Sequence, residues 1–285
     1  MLITGASGRV ARRTAELLAN KGQALRLMTR TPQRVRTPSR AEVVYGDFAD
    51  PASLDKAFAD VTTILVVSGS AEPGKRALLH RNAFEAGARA RVQHVVYLSL
   101  QGASPNSKYP FSRDHALSEQ YLAATGLQFT ILRNAFYMDM FLDMFDVTGL
   151  IRGPAKHGRA AFVSREDCAR VAAAVLIDSP GGTYDVTGPE ALSLTDVAGR
   201  LSRIVGRALR YEDESVESGR EWRSRLGEPA WRVELSLGWH EAIAAGELDR
   251  TSDTVLRFTG KNPLDIEGYF SAFRDLLRPL QSPYC

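Results

Sequence analysis

Short runs of aliphatic and β-branched residues alternate with longer segments of helical periodicity through the first half of the chain. The run at 62–67 is continuously apolar, which is typical of a strand buried on both faces of a sheet. Strands are predicted at 2–4, 24–29, 42–45, 62–67, 94–100 and 129–132. Helices are predicted at 10–21, 51–59, 75–88 and 113–125. This alternation predicts right-handed βαβ units and an α/β fold with a Rossmann-type, doubly wound parallel sheet.

The second half of the chain has a different pattern. A helix is predicted at 167–177, followed by a strand at 183–186 that rejoins the main sheet. Later segments are mainly helical, at 195–206, 239–247 and 266–277, with a polar stretch at 212–228. We therefore expect residues 1–150 to form a Rossmann core. Residues 151–285 are expected to form mainly a smaller, mainly helical substrate lobe, with a segment around 160–190 returning to the core sheet.

Composition and charge exclude several classes of protein. The chain has 285 residues, 44% of them hydrophobic, and a net charge of only +3, which gives no support for binding nucleic acid or a membrane surface. The most apolar stretch, 129–145, is interrupted by three charged residues and cannot span a bilayer. Cys168 and Cys285 are not expected to form a disulfide, and no signal peptide precedes the first predicted strand. We expect a cytoplasmic globular protein.

A glycine-rich segment, GASGRVA at 5–11, follows the first predicted strand and opens the first predicted helix. A dinucleotide pyrophosphate requires this arrangement, because backbone N–H groups at a helix N-terminus must be approached without obstructing side chains. Gly5 would permit the tight turn, Gly8 the close approach and Ala11 the packing of helix on sheet. The residues expected to contact the pyrophosphate are Gly5, Ser7, Gly8, Arg9 and Val10. A plain structural turn is the alternative.

The end of the second predicted strand indicates which dinucleotide is bound. No acidic residue is present there to accept hydrogen bonds from a ribose diol; Arg30 follows the strand, with Arg34 one helical turn later. A guanidinium pairs well with a 2′-phosphate, so the sequence favours NADP(H) over NAD(H), against the alternative of a solvated arginine. Topology places further cofactor contacts after the third and fourth strands, at Asp47, Phe48, Val67, Ser68 and Gly69.

Several longer segments together resemble a known family. They are 3–8 (ITGASG), 45–48 (YGDF), 97–99 (YLS), His115 with Glu119, 130–134 (TILRN), 162–167 (FVSRED) and 184–189 (YDVTGP). On these segments the chain resembles the NmrA-like, atypical branch of the short-chain dehydrogenase/reductase superfamily over nearly its whole length. Within that branch it is similar to NADPH:quinone reductases and triphenylmethane reductases.

The resemblance implies an altered catalytic pair. Ordinary members of the superfamily use Tyr-x-x-x-Lys, in which the tyrosine donates a proton to the substrate and the lysine lowers its pKa and holds the nicotinamide ribose. Glu119 stands four residues beyond the lysine position, which aligns Phe111 with the tyrosine and His115 with the lysine. The usual proton donor is therefore missing. Tyr109 lies two residues before Phe111 and is not expected to share its helical face.

Four residues are expected to lie near the nicotinamide: three candidate catalytic residues and one amide side chain. His115 is expected to bind the ribose or to act as an acid or proton relay, against the alternative of a helix-surface histidine without a role. Ser99 ends the fifth strand and is expected to contact substrate or nicotinamide, unless it only caps the strand. Asn134 is expected to hold the carboxamide of the nicotinamide, and Tyr137 to face the substrate.

An apolar stripe after the sixth strand predicts a helix over the cleft. Its members recur at helical spacing and are Met138, Phe141, Leu142 and Phe145. Such a stripe usually packs in a core, but here it would also suit the roof of a pocket for a flat, apolar acceptor. The pocket is also expected to include three tryptophans, unless these are simply buried: Trp222, Trp231 and Trp239.

Three functions follow from these observations. The first is an NADPH-dependent oxidoreductase that transfers hydride to a quinone or other conjugated, aromatic carbonyl-type acceptor. The second is a non-catalytic NADP(H)-sensing regulatory protein, which the missing tyrosine favours. The third is an isomerase- or dehydratase-like relative with a structural nucleotide. No metal-ligand spacing or Gly-x-Ser-x-Gly elbow is present, so no metal is expected. The expected partner is a small apolar or aromatic molecule, and the chain is expected to be a monomer or homodimer.

Overall fold

A computed structural model describes residues 1–69, 71–277 and Leu280. Within this part of the chain the strands are β1 (Leu2–Ile3), β2 (Leu25–Thr29), β3 (Ala41–Tyr45), β4 (Thr63–Val66), β5 (His94–Leu100), β6 (Gln128–Asn134), β7 (Leu150–Gly153), β8 (Arg159–Ala161), β9 (Gly182–Val186), β10 (Ala191–Ser193) and β11 (Arg210–Asp213). Seven of them form a parallel sheet in the order β3-β2-β1-β4-β5-β6-β9. The predicted Rossmann-type, doubly wound sheet is confirmed.

The described helices are α1 (Arg9–Asn20), α2 (Pro51–Phe58), α3 (Arg76–Arg89), α4 (Pro110–Ala124), α5 (Arg165–Asp178), α6 (Leu194–Val205), α7 (Val216–Arg225), α8 (Ala230–Ala244), α9 (Thr254–Thr259) and α10 (Ile266–Ala272). Of these, α1 and α5 pack on one face of the main sheet, and α2, α3 and α4 pack on the other. Alternate residues of β5 bury against opposite layers: Val96 and Leu98 join the apolar cluster of α1 and α5, whereas Val95 and Tyr97 join that of α2, α3 and α4. A strand covered on both faces needs the continuous apolar run that its sequence has.

The crossovers reverse direction beside β1. The chain builds β2 and β3 on one side of β1, then returns to place β4, β5 and β6 on the other. The carboxyl ends of β1 and β4 therefore lie at a topological switch point, where such sheets leave a crevice. β9 extends the sheet beyond β6, with Ile131 opposite Thr183 in a parallel register.

A second apolar cluster lies beyond the carboxyl edge of the sheet. It contains residues of the short 3₁₀ segment at Met138–Asp143 together with α6, α8 and α10, and Phe141, Phe162, Leu201, Ile243 and Phe270 are among its buried members. Two small sheets border it, β7 with β11 in parallel and β8 with β10 antiparallel. The polar stretch at 212–228 contains the end of β11 and all of α7, and Arg220 of α7 forms an ion pair with Glu234 of α8.

The prediction of a helix at 138–145, made from the apolar stripe, is wrong. Met138–Asp143 forms a 3₁₀ turn, in which the Met138 N–H donates to the Val163 carbonyl at 3.0 Å and Asp139 pairs with Arg9 and Arg165. Phe141 packs edge-on against Phe162, with ring centroids 4.8 Å apart. The stripe is therefore mainly core packing.

Several element boundaries also differ from prediction. α4 begins at Pro110 rather than 113, since proline is well suited to the first helical turn. α8 begins at Ala230 rather than 239, and the segment predicted as one helix at 266–277 is α10 followed by a 3₁₀ turn at Arg274–Leu277. The short helix α9 had no sequence signal that we identified.

The cysteines and the lengths of the described helices were also subjects of prediction. Cys168 is a free, buried thiol within α5, and Cys285 lies outside the described residues. Across the described ranges, each helix is too short or too polar to cross a bilayer.

Gly188 and Gly199 provide a matched test of the packing. A Cβ at Gly188 would lie 2.0 Å from the Phe162 carbonyl oxygen, which belongs to backbone and cannot easily move. Gly188→Ala should therefore lower the free energy of unfolding by about 1–3 kcal/mol. A Cβ at Gly199, within α6, meets nothing within 4 Å, so Gly199→Ala should raise it by about 0.5–1 kcal/mol. Denaturant unfolding of both variants measures this, and equal stabilities would contradict the packing around Gly188.

Candidate functional site

A groove runs along the carboxyl ends of β1, β4, β5 and β6. It consists of two cavities, of about 330 Å³ and 300 Å³, that meet at Gly8, Val67 and Ser68. The Thr4 hydroxyl accepts the Val67 N–H at 2.9 Å, and Ser68 donates to the Leu98 carbonyl at 2.8 Å. These bonds fix the loops after β1 and β4 relative to each other. We call the 330 Å³ half the inner cleft and the 300 Å³ half the outer groove.

The glycine loop presents uncapped backbone at the centre of this groove. Gly5 has a positive φ of 61°, which glycine adopts without strain, and the Gly8 N–H donates to the Gly5 carbonyl at 2.8 Å. Gly8 is the N-cap of α1, and no side chain caps the helix. A Cβ at Gly8 would lie 3.2 Å from the Gly5 carbonyl oxygen. The first-turn N–H groups of α1 are thus left for a ligand, and the loop fits a dinucleotide pyrophosphate.

The outer groove ends at the carboxyl ends of β2 and β3. Arg30 is exposed on its wall, whereas Arg34 is not part of this lining. Asp47 accepts the Ala49 N–H at 3.0 Å, and the Asn82 amide donates to the Phe48 carbonyl at 2.8 Å. Because the Asp47 N–H also donates to Ser53 Oγ at 3.0 Å, the loop that carries Asp47 and Phe48 is bonded to both α2 and α3.

The inner cleft contains an amide with unused bonding capacity. Asn134 is 1% exposed, and its Nδ2 donates to the Tyr137 hydroxyl at 3.2 Å. Its Oδ1 is buried and has no partner among the described residues. A buried amide oxygen is expensive to leave unpaired, so Asn134 suits a ligand that donates a hydrogen bond, such as a carboxamide.

Two arginines at the mouth of the cleft share one buried carboxylate. Asp139 is 3% exposed and accepts from Arg9 Nη1 at 2.5 Å and from Arg165 Nε at 2.7 Å. The Arg165 guanidinium also lies 4.0 Å from the centre of the Tyr137 ring. This pairing places Arg9 beside the glycine loop and Arg165 against the proposed substrate-facing tyrosine.

Ser99 is held by a partly buried ion pair. Its hydroxyl donates to Glu119 Oε1 at 2.6 Å, and Arg133 binds both Glu119 oxygens at 2.9 and 2.6 Å. Ser99 lines the inner cleft, but its proton is engaged by Glu119. Towards a ligand it can therefore only accept a hydrogen bond.

A chain of hydrogen bonds connects the two halves of the groove behind their walls. The Gly69 N–H donates to His80 Nε2 at 3.2 Å, which places the proton of His80 on Nδ1. That Nδ1 lies 2.9 Å from Ser118 Oγ and 3.1 Å from the Tyr97 hydroxyl oxygen. Tyr97 is then free to donate to His115 Nδ1 at 2.8 Å. The network thus assigns the proton of His115 to Nε2.

The two histidines of this network are uncharged. Burial lowers the pKa of His80 to about 3, with a further contribution from the Arg76 charge. Burial also lowers the pKa of His115 well below its usual 6.5, again assisted by Arg76. Burial raises the pKa of Tyr97. His115 therefore offers a neutral Nε2–H donor rather than an imidazolium acid at neutral pH.

The structure places every predicted site residue along the groove. The outer groove is lined by Gly5, Ser7, Gly8, Arg30, Asp47, Phe48, Val67, Ser68 and Gly69. The inner cleft adds Arg9, Val10, Ser99, His115, Asn134 and Tyr137. Their individual roles stay predictions. Among the described residues no cluster of histidine, cysteine and carboxylate side chains is arranged to hold a metal ion.

Sequence reasoning missed several residues of the cleft. Arg76, Phe136 and Arg165 line it, and none carries a motif by itself. The expectation that Tyr109 and Phe111 lie on different helical faces does not apply, because Tyr109 is the extended N-cap of α4 and is not in the helix. Its ring contacts Phe111 with centroids 5.7 Å apart, and both rings face the cleft.

A third cavity of about 610 Å³ adjoins the cleft. It shares Tyr109, Phe111 and Met140 with the cleft and is otherwise lined mainly by α8, including Trp231, Leu235 and Trp239. Trp222 lies elsewhere, where its indole N–H donates to Glu214 at 2.8 Å. Two of the three tryptophans named from sequence therefore contribute to the wall of this third cavity.

Comparison with known proteins gives concordant matches. The NAD(P)H-binding family matches residues 5–179. Quinone oxidoreductase 2 of Escherichia coli (strain K12) is 30% identical over 271 residues, which are 90% of this chain and 93% of that protein. An NmrA-like family domain-containing oxidoreductase of Aspergillus flavus is 30% identical over 236 residues, 76% of this chain and 75% of that protein. The crystal structure of Citrobacter sp. triphenylmethane reductase complexed with NADP(H) is similar with a TM-score of 0.84 at 27% identity, covering 95% of this chain and 99% of that chain.

The buried neutral histidines make stability depend on pH. The pKa of His80 is about 3, that of His240 about 4 and that of His115 well below 6.5 in the folded chain, all lowered mainly by burial. Below their usual 6.5 the unfolded chain binds protons that the folded chain does not. The free energy of unfolding should therefore fall between about pH 7.5 and 5.5, by about 1 kcal/mol for each of these histidines. Urea unfolding measures this fall. A free energy of unfolding that stays constant over this range would contradict the burial of the neutral rings.

Proposed function

The chain belongs to the NAD(P)H-binding family of NmrA-like oxidoreductases, and we propose that it transfers hydride from NADPH to a quinone or other conjugated, aromatic carbonyl-type acceptor. The observation that carries this proposal is a continuous groove from Arg30 through the glycine loop to His115 and Asn134. Its inner end opens between aromatic side chains, including Tyr109, towards a third, largely apolar cavity. A flat acceptor in the cleft would lie against the nicotinamide.

NADPH is favoured over NADH by the charge at the outer end of the groove. Arg30 is exposed there and has no ion pair within the described residues, so its guanidinium is available for a 2′-phosphate. The wall contributes Asp47 as well, but its carboxylate accepts the Ala49 N–H. NADP(H) bound in this groove would supply the hydride, and the residues of the chain would orient it.

We assign the inner residues mainly to binding and orientation. His115 Nε2–H donates to a hydroxyl of the nicotinamide ribose, and Asn134 Oδ1 accepts from the carboxamide. Tyr137, whose pKa burial raises to about 12, keeps its proton and faces the acceptor together with Ser99. Phe111 occupies the position of the usual tyrosine, so no phenol is directed at the substrate from that position. Orientation is expected to supply most of the rate enhancement.

The acceptor pocket is formed by two parts of the chain. The core contributes Phe136 and Met140, and α8 contributes Trp231 and Trp239. We therefore propose that residues 1–150 bind cofactor, whereas residues 151–285 mainly complete the substrate site. Aromatic rings and methionines on these walls suit a planar, apolar molecule.

Oxidation of NADPH, followed by absorbance with a panel of quinones, azo compounds and triphenylmethane dyes, tests the proposed activity. Turnover of a quinone is the expected result. Calorimetry should be run alongside, because tight NADP(H) binding without turnover of any panel member would contradict the reductase. That outcome would favour the non-catalytic NADP(H) sensor instead.

Arg30→Ala tests the choice of cofactor. Loss of a charge-assisted hydrogen bond costs about 1.5–3 kcal/mol, so the Kd for NADPH should rise about 10- to 100-fold while that for NADH changes little. Arg203→Ala is the matched control, since Arg203 is exposed on α6 and is absent from the groove lining. Equal weakening for both dinucleotides would show that Arg30 does not contact the 2′-phosphate.

His115→Ala tests the ribose contact. Removal of the Nε2–H donor should lower kcat/KM for NADPH by about tenfold, as expected for one lost hydrogen bond in a buried site. His157→Ala removes an exposed histidine and should leave the kinetics unchanged. The wild-type rate should also show no His115 titration between about pH 6 and 8, because burial lowers the pKa of that ring. Unchanged kinetics in His115→Ala would remove His115 from the site.

A further inference from the structure

Arg76 is a cation of the inner cleft without a carboxylate partner among the described residues. The other two arginines of the cleft, Arg9 and Arg165, are paired with Asp139. The acidic side chains closest along the chain to Arg76 are used elsewhere. Glu72 is paired with Lys75 at 2.7 Å.

Asp114, on the facing helix α4, is also engaged. Each of its carboxylate oxygens accepts the Gly74 N–H at 3.0 Å, and Asp114 forms no ion pair with Arg76. The Arg76 charge therefore faces the cleft without a direct ion pair among the described residues, and Asp114 attracts it only over a longer distance.

The Arg76 guanidinium is held in a defined orientation. It lies 4.2 Å from the centre of the Phe111 ring, which covers one of its faces. Its Nε is buried and finds no hydrogen-bond acceptor within the described part of the chain. Buried donors are almost always bonded in folded proteins, so an unpaired one in a cleft indicates a group that arrives with a ligand.

Among the described residues no carboxylate lines the inner cleft, and Asp114 attracts Arg76 from outside it. Burial raises the pKa of Tyr109 and raises that of Tyr137 to about 12, so both phenols stay protonated. Burial lowers the pKa of His115, which stays neutral. Burial also lowers the pKa of Arg76, but a guanidinium remains charged at any physiological pH. The inner cleft thus has a positive potential directed at whatever lies beside Phe111.

We propose that Arg76 binds the acceptor oxygen that becomes negatively charged during reduction, and so supplies the electrostatic stabilisation that a tyrosine at position 111 would otherwise give. The proposal rests on the proposed reductase function. A C–H bond of the dihydronicotinamide would break with both of its electrons as a new C–H bond forms on the conjugated system of the acceptor, whose displaced π electrons move onto the carbonyl oxygen. That oxygen becomes an oxyanion beside the guanidinium, and water later supplies the one proton that completes the two-electron reduction.

This role restricts the class of acceptor. A fixed cation stabilises a transition state in which negative charge accumulates on oxygen. The same cation repels an acceptor that is already positively charged, such as a triphenylmethane dye. The geometry therefore favours quinones and conjugated carbonyl compounds over cationic dyes.

Arg76→Met tests the role in turnover. With menadione as acceptor, kcat/KM should fall about 100-fold, which is typical for loss of one preorganised oxyanion contact. Arg76→Lys should recover part of the loss, because lysine keeps the charge but not the planar fork. Arg81→Met is the matched control, since Arg81 is exposed on the same helix and pairs with Glu85. The ratio of crystal violet to menadione reduction should rise in Arg76→Met.

A binding measurement gives a second readout that does not depend on turnover. Para-nitrophenol is added to the NADP⁺-loaded protein, and absorbance reports the fraction of bound phenolate as pH is varied. Arg76 should lower the pKa of the bound phenol, and Arg76→Met should raise it by about one unit or more, since a tenfold change in ionisation corresponds to one unit. Arg81→Met should match the wild type.

The outcomes separate the inference from the function on which it rests. If the wild type reduces no acceptor but Arg76 still lowers the phenol pKa, the proposed function fails and the anion site stands. If Arg76→Met reduces menadione as well as the wild type, the inference is overturned and the reductase stands. The inference is also overturned if the lower kcat/KM of Arg76→Met is explained wholly by a higher Kd for NADPH. If Arg76→Met is fully active and Tyr109→Phe is inactive, the stabilising role belongs to Tyr109 instead.

Discussion

The site depends on the position of β1, which pairs with β2 on one side and β4 on the other. The chain leaves these two pairings towards opposite edges of the sheet, and α1 and α3 consequently pack on opposite faces. Between them the carboxyl ends of the strands stay uncovered, which creates a groove without any specialised loop. The bond between Thr4 and Val67 then fixes the width of the groove where the glycine loop faces the segment after β4. Every contact assigned to the dinucleotide is built on this separation.

Charge is distributed within the groove according to burial. The exposed outer end carries Arg30, and the mouth of the cleft carries two arginines whose charge is partly neutralised by Asp139. Deeper in, desolvation keeps the imidazoles and phenols neutral, and they are ordered by the hydrogen bonds from Gly69 through His80 and Tyr97 to His115. The inner cleft is thus an ordered, mostly neutral surface with one arginine, Arg76, that has no direct ion pair among the described residues. Such preorganised dipoles and charges need little rearrangement when a reaction develops charge.

The sequence predicted the core well because its signals are local. β5 has the bounds predicted for it, and the glycine loop lies between β1 and α1 as its spacing requires. The error at 138–145 arose because apolar periodicity does not register Asp139, whose buried pairing with Arg9 and Arg165 joins residues far apart in the chain. The hydrogen-bond chain behind the groove was missed for the same reason, since it joins α3, β5 and α4. Arg76 had no motif at all; its significance lies in the absence of a described carboxylate partner, which only the three-dimensional arrangement reveals.

The buried Cys168 has a consequence for the chemical durability of the protein. Quinones and related conjugated carbonyl compounds are electrophiles that add to thiolates, so a protein that admits them risks arylation of its own cysteines. Cys168 is fully buried within α5, and burial raises the pKa of its thiol well above the usual range. It is therefore both protonated and inaccessible, and the thiolate is the reactive form. Within the described residues, the fold thus shields its cysteine from the electrophiles that its cleft is proposed to bind.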